Sequence, residues 1–175
     1  MRLTSNSIVL ILTMVGTCVM TLTHTASTSV ASKPSSASKG SSWPNFRNGH
    51  QLRGVADSPL PDRLELLWSQ SIPDGMVFTS AAAVAAGRVY ASTLGGELLC
   101  LDLKTGKVLW KYLSAPKPEP DTFIPGFPSA PTLSSDTVFV GDEDGVFHAV
   151  DRKSGKKRWV FQTSAEVNSS AAVGG

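Results

Sequence analysis

The feature that most constrains this chain is that it repeats itself. Arg88 to Tyr112 (RVYASTLGGELLCLDLKTGKVLWKY) aligns without a gap on Thr137 to Phe161 (TVFVGDEDGVFHAVDRKSGKKRWVF) at an offset of 49 residues, with seven identities in 25 positions. The identities fall on Val89/Val138, Gly96/Gly145, Asp102/Asp151, Lys104/Lys153, Gly106/Gly155, Lys107/Lys156 and Trp110/Trp159. Apolar positions are conserved in character between the two units, as in Tyr90/Phe139, Leu98/Phe147 and Leu101/Val150. A period of this size is the mark of a chain that builds one supersecondary unit and stacks copies of it.

Each unit reads as short strands joined by tight turns. Val89–Thr93 is β-branched and aromatic, Gly95-Gly96 makes a turn, Glu97–Leu103 forms the next strand, Lys104-Thr105-Gly106 turns again, and Lys107–Leu113 closes the unit. Upstream, Thr79–Ala85 is expected to be a strand of small residues, suited to close packing of backbones near an axis. The second unit repeats this order with strands at Pro128–Leu133, Thr137–Gly141, Val146–Val150 and Lys156–Gln162. Four antiparallel strands, narrow at the start and aromatic at the end, describe a propeller blade.

Two partial copies flank the full ones. Leu64–Ser71 (LELLWSQS) is expected to be a lone fourth strand with Trp68 in the role of Trp110 and Trp159, and Asn168–Val173 a lone first strand. The fold class is therefore all-β, a partial β-propeller with blades at about 79–113 and 128–163 and the start of a third at 168–175. Propellers typically have four to eight blades, so the chain is expected to be a truncated portion whose missing blades come from an absent remainder or from another chain. Without them, its open blade faces and broken edge are expected to aggregate or stay partly unfolded.

The motif between strands has its own physics. Asp102 and Asp151 end a strand where a carboxylate can accept backbone N–H bonds from the following turn. Thr105 and Ser154 can add a hydroxyl bond, Gly106 and Gly155 supply the turn conformation, and Trp110 and Trp159 are expected to cover the seam between neighbouring blades. Cys100-x-Asp102-x-x-Thr105-Gly106-Lys107-x-x-Trp110 and its copy at Ala149–Trp159 resemble the repeat of pyrroloquinoline-quinone-type β-propellers, Ala-x-Asp-x-x-Thr-Gly-x-x-x-Trp. Trp43-Pro44-x-Phe46-Arg47 resembles an opening that precedes such repeats in exported bacterial proteins, and the resemblance covers residues 43–175.

That resemblance, closest in character to the BamB-like members, implies a non-catalytic exported scaffold that contacts another protein through loops on one face. The scaffold is favoured; the rival reading is the N-terminal part of a quinoprotein dehydrogenase oxidising alcohols or sugars with pyrroloquinoline quinone and Ca²⁺, and a third, weaker one is a ligand-sensing ectodomain. Such dehydrogenases carry an adjacent cysteine pair at the cofactor; this chain holds only Cys18 and Cys100, far apart, and no matching Ca²⁺ ligand set is visible. Neither a cofactor nor a catalytic or metal-binding residue is therefore assigned.

The N-terminus carries targeting features rather than fold. Met1-Arg2 followed by the uncharged run Ile8–Met20 reads as a signal peptide within residues 1–26, with cleavage between 26 and 31. The run is too short to span a bilayer comfortably, so no integral membrane domain is expected after cleavage. Thr17 before Cys18 makes a poor lipidation box. Residues 27–42, with eight serines in sixteen, read as a flexible linker. The expected location is periplasmic or the cell envelope.

Other candidate chemistry is weak. Sixteen Lys+Arg against 14 Asp+Glu give a net charge of +2, which offers no reason to invoke nucleic acid. Lys104-Thr105-Gly106-Lys107 lacks the flanking residues of a phosphate loop, since Leu101 and Val108 occupy the required positions. Asp142-Glu143-Asp144-Gly145 reads as an acidic hairpin turn, Cys100 as a small core residue, and His148 as a structural or surface histidine. The most individual segment is the connection Ser114–Phe127, with Pro116, Pro118, Pro120 and Pro125 among Phe123, Ile124 and Phe127. It is either a partner-binding rim loop or a cover over the blade core. It and the turn Asp142, Glu143, Asp144 are expected on one face as the candidate interaction surface.

Overall fold

The computed structural model describes residues 42–49, 51–56, 59, 61–72, 77–115 and 122–173. The expected signal peptide at residues 1–26 and nearly all of the serine-rich segment at 27–42 lie outside them. The described strands are β1 (Ala83–Ala85), β2 (Arg88–Ser92), β3 (Glu97–Asp102), β4 (Val108–Leu113), β5 (Thr132–Ser134), β6 (Thr137–Gly141), β7 (Val146–Asp151) and β8 (Lys157–Gln162). They form two four-stranded antiparallel sheets in sequential order, β1 to β4 and β5 to β8. Each is a meander of hairpins, the arrangement of a propeller blade. The register repeats with the sequence: Tyr90 lies opposite Cys100, and Phe139 opposite Ala149.

Alternation along β3 builds the core. Leu98 and Cys100 point to the face shared with the second sheet, where they meet Val138, Val140 and Val150, with Tyr90 and Phe127 completing a buried cluster flanked by Trp110 and Tyr112. Leu99 and Leu101 are buried on the opposite face. Leu98–Leu101 of β3 are buried on both faces, whereas every residue of β8 is exposed. A β-bulge interrupts the last hairpin of both sheets at the same repeat position, Cys100/Leu101 and Ala149/Val150.

Three expectations about strands are corrected. The inner strands are shorter than read, because Thr79–Ala82 and Pro128–Pro131 hold to their sheets through serines rather than ladder bonds. Ser80 Oγ lies 2.8 Å from Ser92 Oγ, and Ser129 Oγ accepts from Gly141 N at 3.0 Å, the equivalent pairs in the two units. Neither Leu64–Ser71 nor Asn168–Val173 is among the described strands.

One connection was not anticipated. Trp43 pairs with Val84 through reciprocal backbone bonds of 2.6 and 2.7 Å, and Pro44 O accepts from Leu133 N at 2.7 Å. The segment before the repeats thus adds to the free edge of β1 and also reaches β5, tying the inner edges of both sheets together.

Candidate functional site

The turn closing each β3–β4 or β7–β8 hairpin is built alike. Asp102 Oδ1 accepts from Lys104 N (3.1 Å), Thr105 N (2.9 Å) and Thr105 Oγ1 (2.8 Å). Asp151 Oδ1 accepts from Lys153 N (3.2 Å), Ser154 N (2.8 Å) and Ser154 Oγ (2.7 Å). The Thr105 hydroxyl and the backbone donors hold the Asp102 carboxyl below the ordinary aspartate range. Asp151 is lowered further, first by Arg158, whose guanidinium also forks onto Asp136 at 2.9 and 2.6 Å.

These turns receive tryptophans from the preceding unit. The Trp68 indole donates to Leu103 O at 2.9 Å and lies so close over Gly106 that a Cβ there would sit 2.6 Å from the ring. Trp110 donates to Arg152 O at 3.3 Å and lies over Gly155 with the same 2.6 Å clearance. Both glycines have φ near +70°, so the position demands glycine both for its conformation and for its missing side chain. Trp159 is 47% exposed; its ring contacts are with Phe139 and Phe147 of its own sheet.

At the opposite ends of the strands, residues 122–128 and the β6–β7 turn come together. Gly126 N donates to Glu143 Oε2 (2.9 Å), and Glu143 N donates to Gly126 O (3.1 Å). Ser114 Oγ donates to Pro125 O at 2.6 Å. Phe123 stands out of this pinned loop at 69% exposure, with Ile124 partly covered and Asp144 exposed.

Two members of the expected interaction surface are not on the surface. Phe127 has no exposed area, because it stacks on Tyr112 and meets the edge of His148. Asp142 is also buried, because its Oδ2 lies 2.9 Å from His148 Nε2 while its Oδ1 accepts from Val146 N at 2.7 Å. The open alternatives for the loop therefore divide: Phe127 covers the core and Phe123 does not.

Sequence reasoning missed what Asp142 belongs to. Tyr112 Oη lies 2.8 Å from His148 Nδ1, so a buried Tyr112–His148–Asp142 chain crosses the seam from β4 to β7. Burial, and secondarily the Asp142 charge, push the Tyr112 hydroxyl pKa up. The first unit places Thr93 and Leu99 at the positions of Asp142 and His148. That departure from the repeat was the available signal.

A cavity of about 670 Å³ lies along the inner edges, lined by Ser80, Ser129 and Ser170 together with Asn45 and Phe46 of the N-terminal segment. Among the described residues no cluster of three or more His, Cys, Asp or Glu is placed to hold a metal ion. No described helix is long and apolar enough to cross a membrane.

Consecutive four-stranded antiparallel sheets, whose Asp-x-x-[Ser/Thr]-Gly turns each receive an indole from the preceding segment, define a partial β-propeller of the pyrroloquinoline-quinone repeat type. The family model described as outer membrane protein assembly factor BamB matches residues 62–174, and the chain belongs to that family. It is 28% identical over 109 residues to outer membrane protein assembly factor BamB of Xanthomonas campestris, covering 60% of this chain and 27% of that protein. It is 32% identical over 90 residues to the lanthanide-dependent methanol dehydrogenase of Methylacidiphilum fumariolicum, covering 48% of this chain and 14% of that enzyme. The crystal structure of quinohemoprotein alcohol dehydrogenase from Comamonas testosteroni shares the fold, with a TM-score of 0.55 at 23% identity over 70% of this chain and 19% of that one. The chain thus spans 27% or less of the length of these relatives.

Proposed function

We propose that the chain is part of an exported, non-catalytic scaffold that binds another protein in the cell envelope through the rim formed by residues 122–126 and the turn at Glu143-Asp144. The observation that carries this reading is Phe123, a large apolar side chain left 69% exposed on a loop whose backbone is fixed by Glu143 and Ser114. A fixed, exposed aromatic is the kind of anchor that protein interfaces use. Family membership favours a partner engaged in outer-membrane protein assembly, and the signal-like segment at residues 1–26 supports export.

A photo-crosslinking residue placed at position 123 of the full chain tests the reading in cells. One discrete protein adduct, lost when Asp144 is changed to Lys and absent from a probe at exposed Lys107, supports it. Equal, diffuse labelling from both positions overturns it.

The second reading, part of a dehydrogenase, is favoured by the similarity to quinoprotein enzymes. Against it stands the donor set: Cys100 is buried without a second cysteine beside it, and the described acids form no metal-holding group. Alcohol-dependent dye reduction by the chain supplied with pyrroloquinoline quinone and Ca²⁺ would establish the enzyme and displace the scaffold.

A further inference from the structure

A second cleft lies at the other end of the strands from the rim, and nothing so far described uses it. It has a volume of about 310 Å³ and sits in the seam between the two sheets, between the β1–β2 turn at Ala86 and the β5–β6 turn at Ser135-Asp136. Arg88, Arg152 and Lys153 line it, and Tyr90 forms part of its wall. Both sheets that frame it are complete four-stranded units.

The charges in the cleft are not neutralised from within. Its one carboxylate, Asp136, is held in a two-point ion pair with Arg158. Arg88 spends one guanidinium nitrogen on the backbone carbonyls of Arg152 and Lys153 (3.1 and 3.2 Å), and among the described residues none of the three lining cations forms an ion pair. Those two carbonyls fix Arg88 across the seam, and Arg152 O is further held by the Trp110 indole. Arg88 is thus placed by backbone already ordered by the blade contact, which lowers its ordering cost on binding.

The second observation is Tyr90. Its side chain is completely buried, yet its hydroxyl makes no hydrogen bond. A buried hydroxyl without a partner is costly and uncommon in a native fold. Burial, then the nearby Cys100 thiol, push its pKa up to about 12, while the charges of Arg152 and Arg88 and the approach of the Arg88 guanidinium to the phenol pull it down, so near neutral pH the hydroxyl keeps its proton and stands beside the cleft's cations. The cleft thus sets three cations beside a buried hydroxyl that lacks a close partner.

We infer that this seam cleft is a binding site for a small oxyanion, a phosphate or carboxylate group held by Arg88, Arg152 and Lys153, with Tyr90 Oη as the innermost donor. Guanidinium groups suit this ligand because they present paired N–H donors to paired oxygens. The site is independent of the rim reading, since it shares no residue with it.

Thermal unfolding and isothermal titration of the full chain with inorganic phosphate, and separately with acetate, at constant ionic strength test the inference. Saturable binding that raises the melting temperature is expected. Arg152→Gln should weaken it about tenfold, the scale of one lost hydrogen bond to a charged group. Tyr90→Phe should weaken it about threefold yet leave the ligand-free protein at least as stable, because an unpaired hydroxyl has been removed. Saturation by phosphate, by acetate or by both supports an oxyanion site and ranks the two chemistries. No saturation with either, or equal saturation of the wild-type and Arg152→Gln chains, overturns it.

Discussion

At the scale of single residues, the repeat motif is a set of paired requirements. Gly155 must be glycine because the Trp110 ring occupies the space of a Cβ and because φ is +72°. Gly87 has a comparable φ of +71° but open space around it. Gly155→Ala should therefore cost about 3 kcal/mol, combining overpacking with backbone strain, while Gly87→Ala should cost about 1 kcal/mol. Urea denaturation midpoints of the two variants check the difference. The aspartates of the same turns set the response to acid. Their carboxyl pKa values are depressed in the folded chain, so the unfolded chain binds protons first as pH falls. The stabilisation is present above the ordinary aspartate value of about 3.9 and is lost as pH drops below it toward the folded values. Asp151→Asn should flatten the acid limb of the stability profile without changing its shape near neutral pH, measured as urea midpoint against pH.

At the scale of elements, what matters is which sheet a side chain is given to. Trp110 lies between two sheets and Trp159 at the outer edge of one, although their sequence contexts match. Trp110→Ala should lower stability by about 3 kcal/mol, and Trp159→Ala by less than about 1 kcal/mol, in the same denaturation experiment. The hairpins and motif turns were legible because turn glycines, a carboxylate three residues before a hydroxyl, and period-two alternation are local signals. The bulges at Cys100/Leu101 and Ala149/Val150 were not, since an extra residue in a strand leaves the local pattern nearly intact. The fate of the rim loop was half legible. Its composition marked it as unusual, but only the neighbouring sheet decides that Phe127 meets His148 and Phe123 meets solvent. The Tyr112–His148–Asp142 chain was hidden for the same reason, as Tyr112 comes from the neighbouring sheet and meets the His148–Asp142 hairpin only across a seam.

At the scale of the whole molecule, the two sheets behave as links in a row, each stabilised by what it shares with its neighbour. Leu64, Leu66 and Leu67 on one side and Trp159, Val160 and Phe161 on the other remain exposed. The 175-residue chain should therefore self-associate with rising concentration, and Phe161→Lys should reduce that association; light scattering across a dilution series reads both. The N-terminal segment bonded to both inner edges adds a matter of timing. On a ribosome, Trp43 and Pro44 emerge well before Val84 and Leu133, the residues they bond. Synthesis at about 5–20 residues per second leaves Pro44 waiting for seconds until its second partner exists. The opening of the chain is thus made first and fully seated only once Leu133 is present, so a fragment ending between Val84 and Leu133 can engage Trp43 but leaves Pro44 O without Leu133.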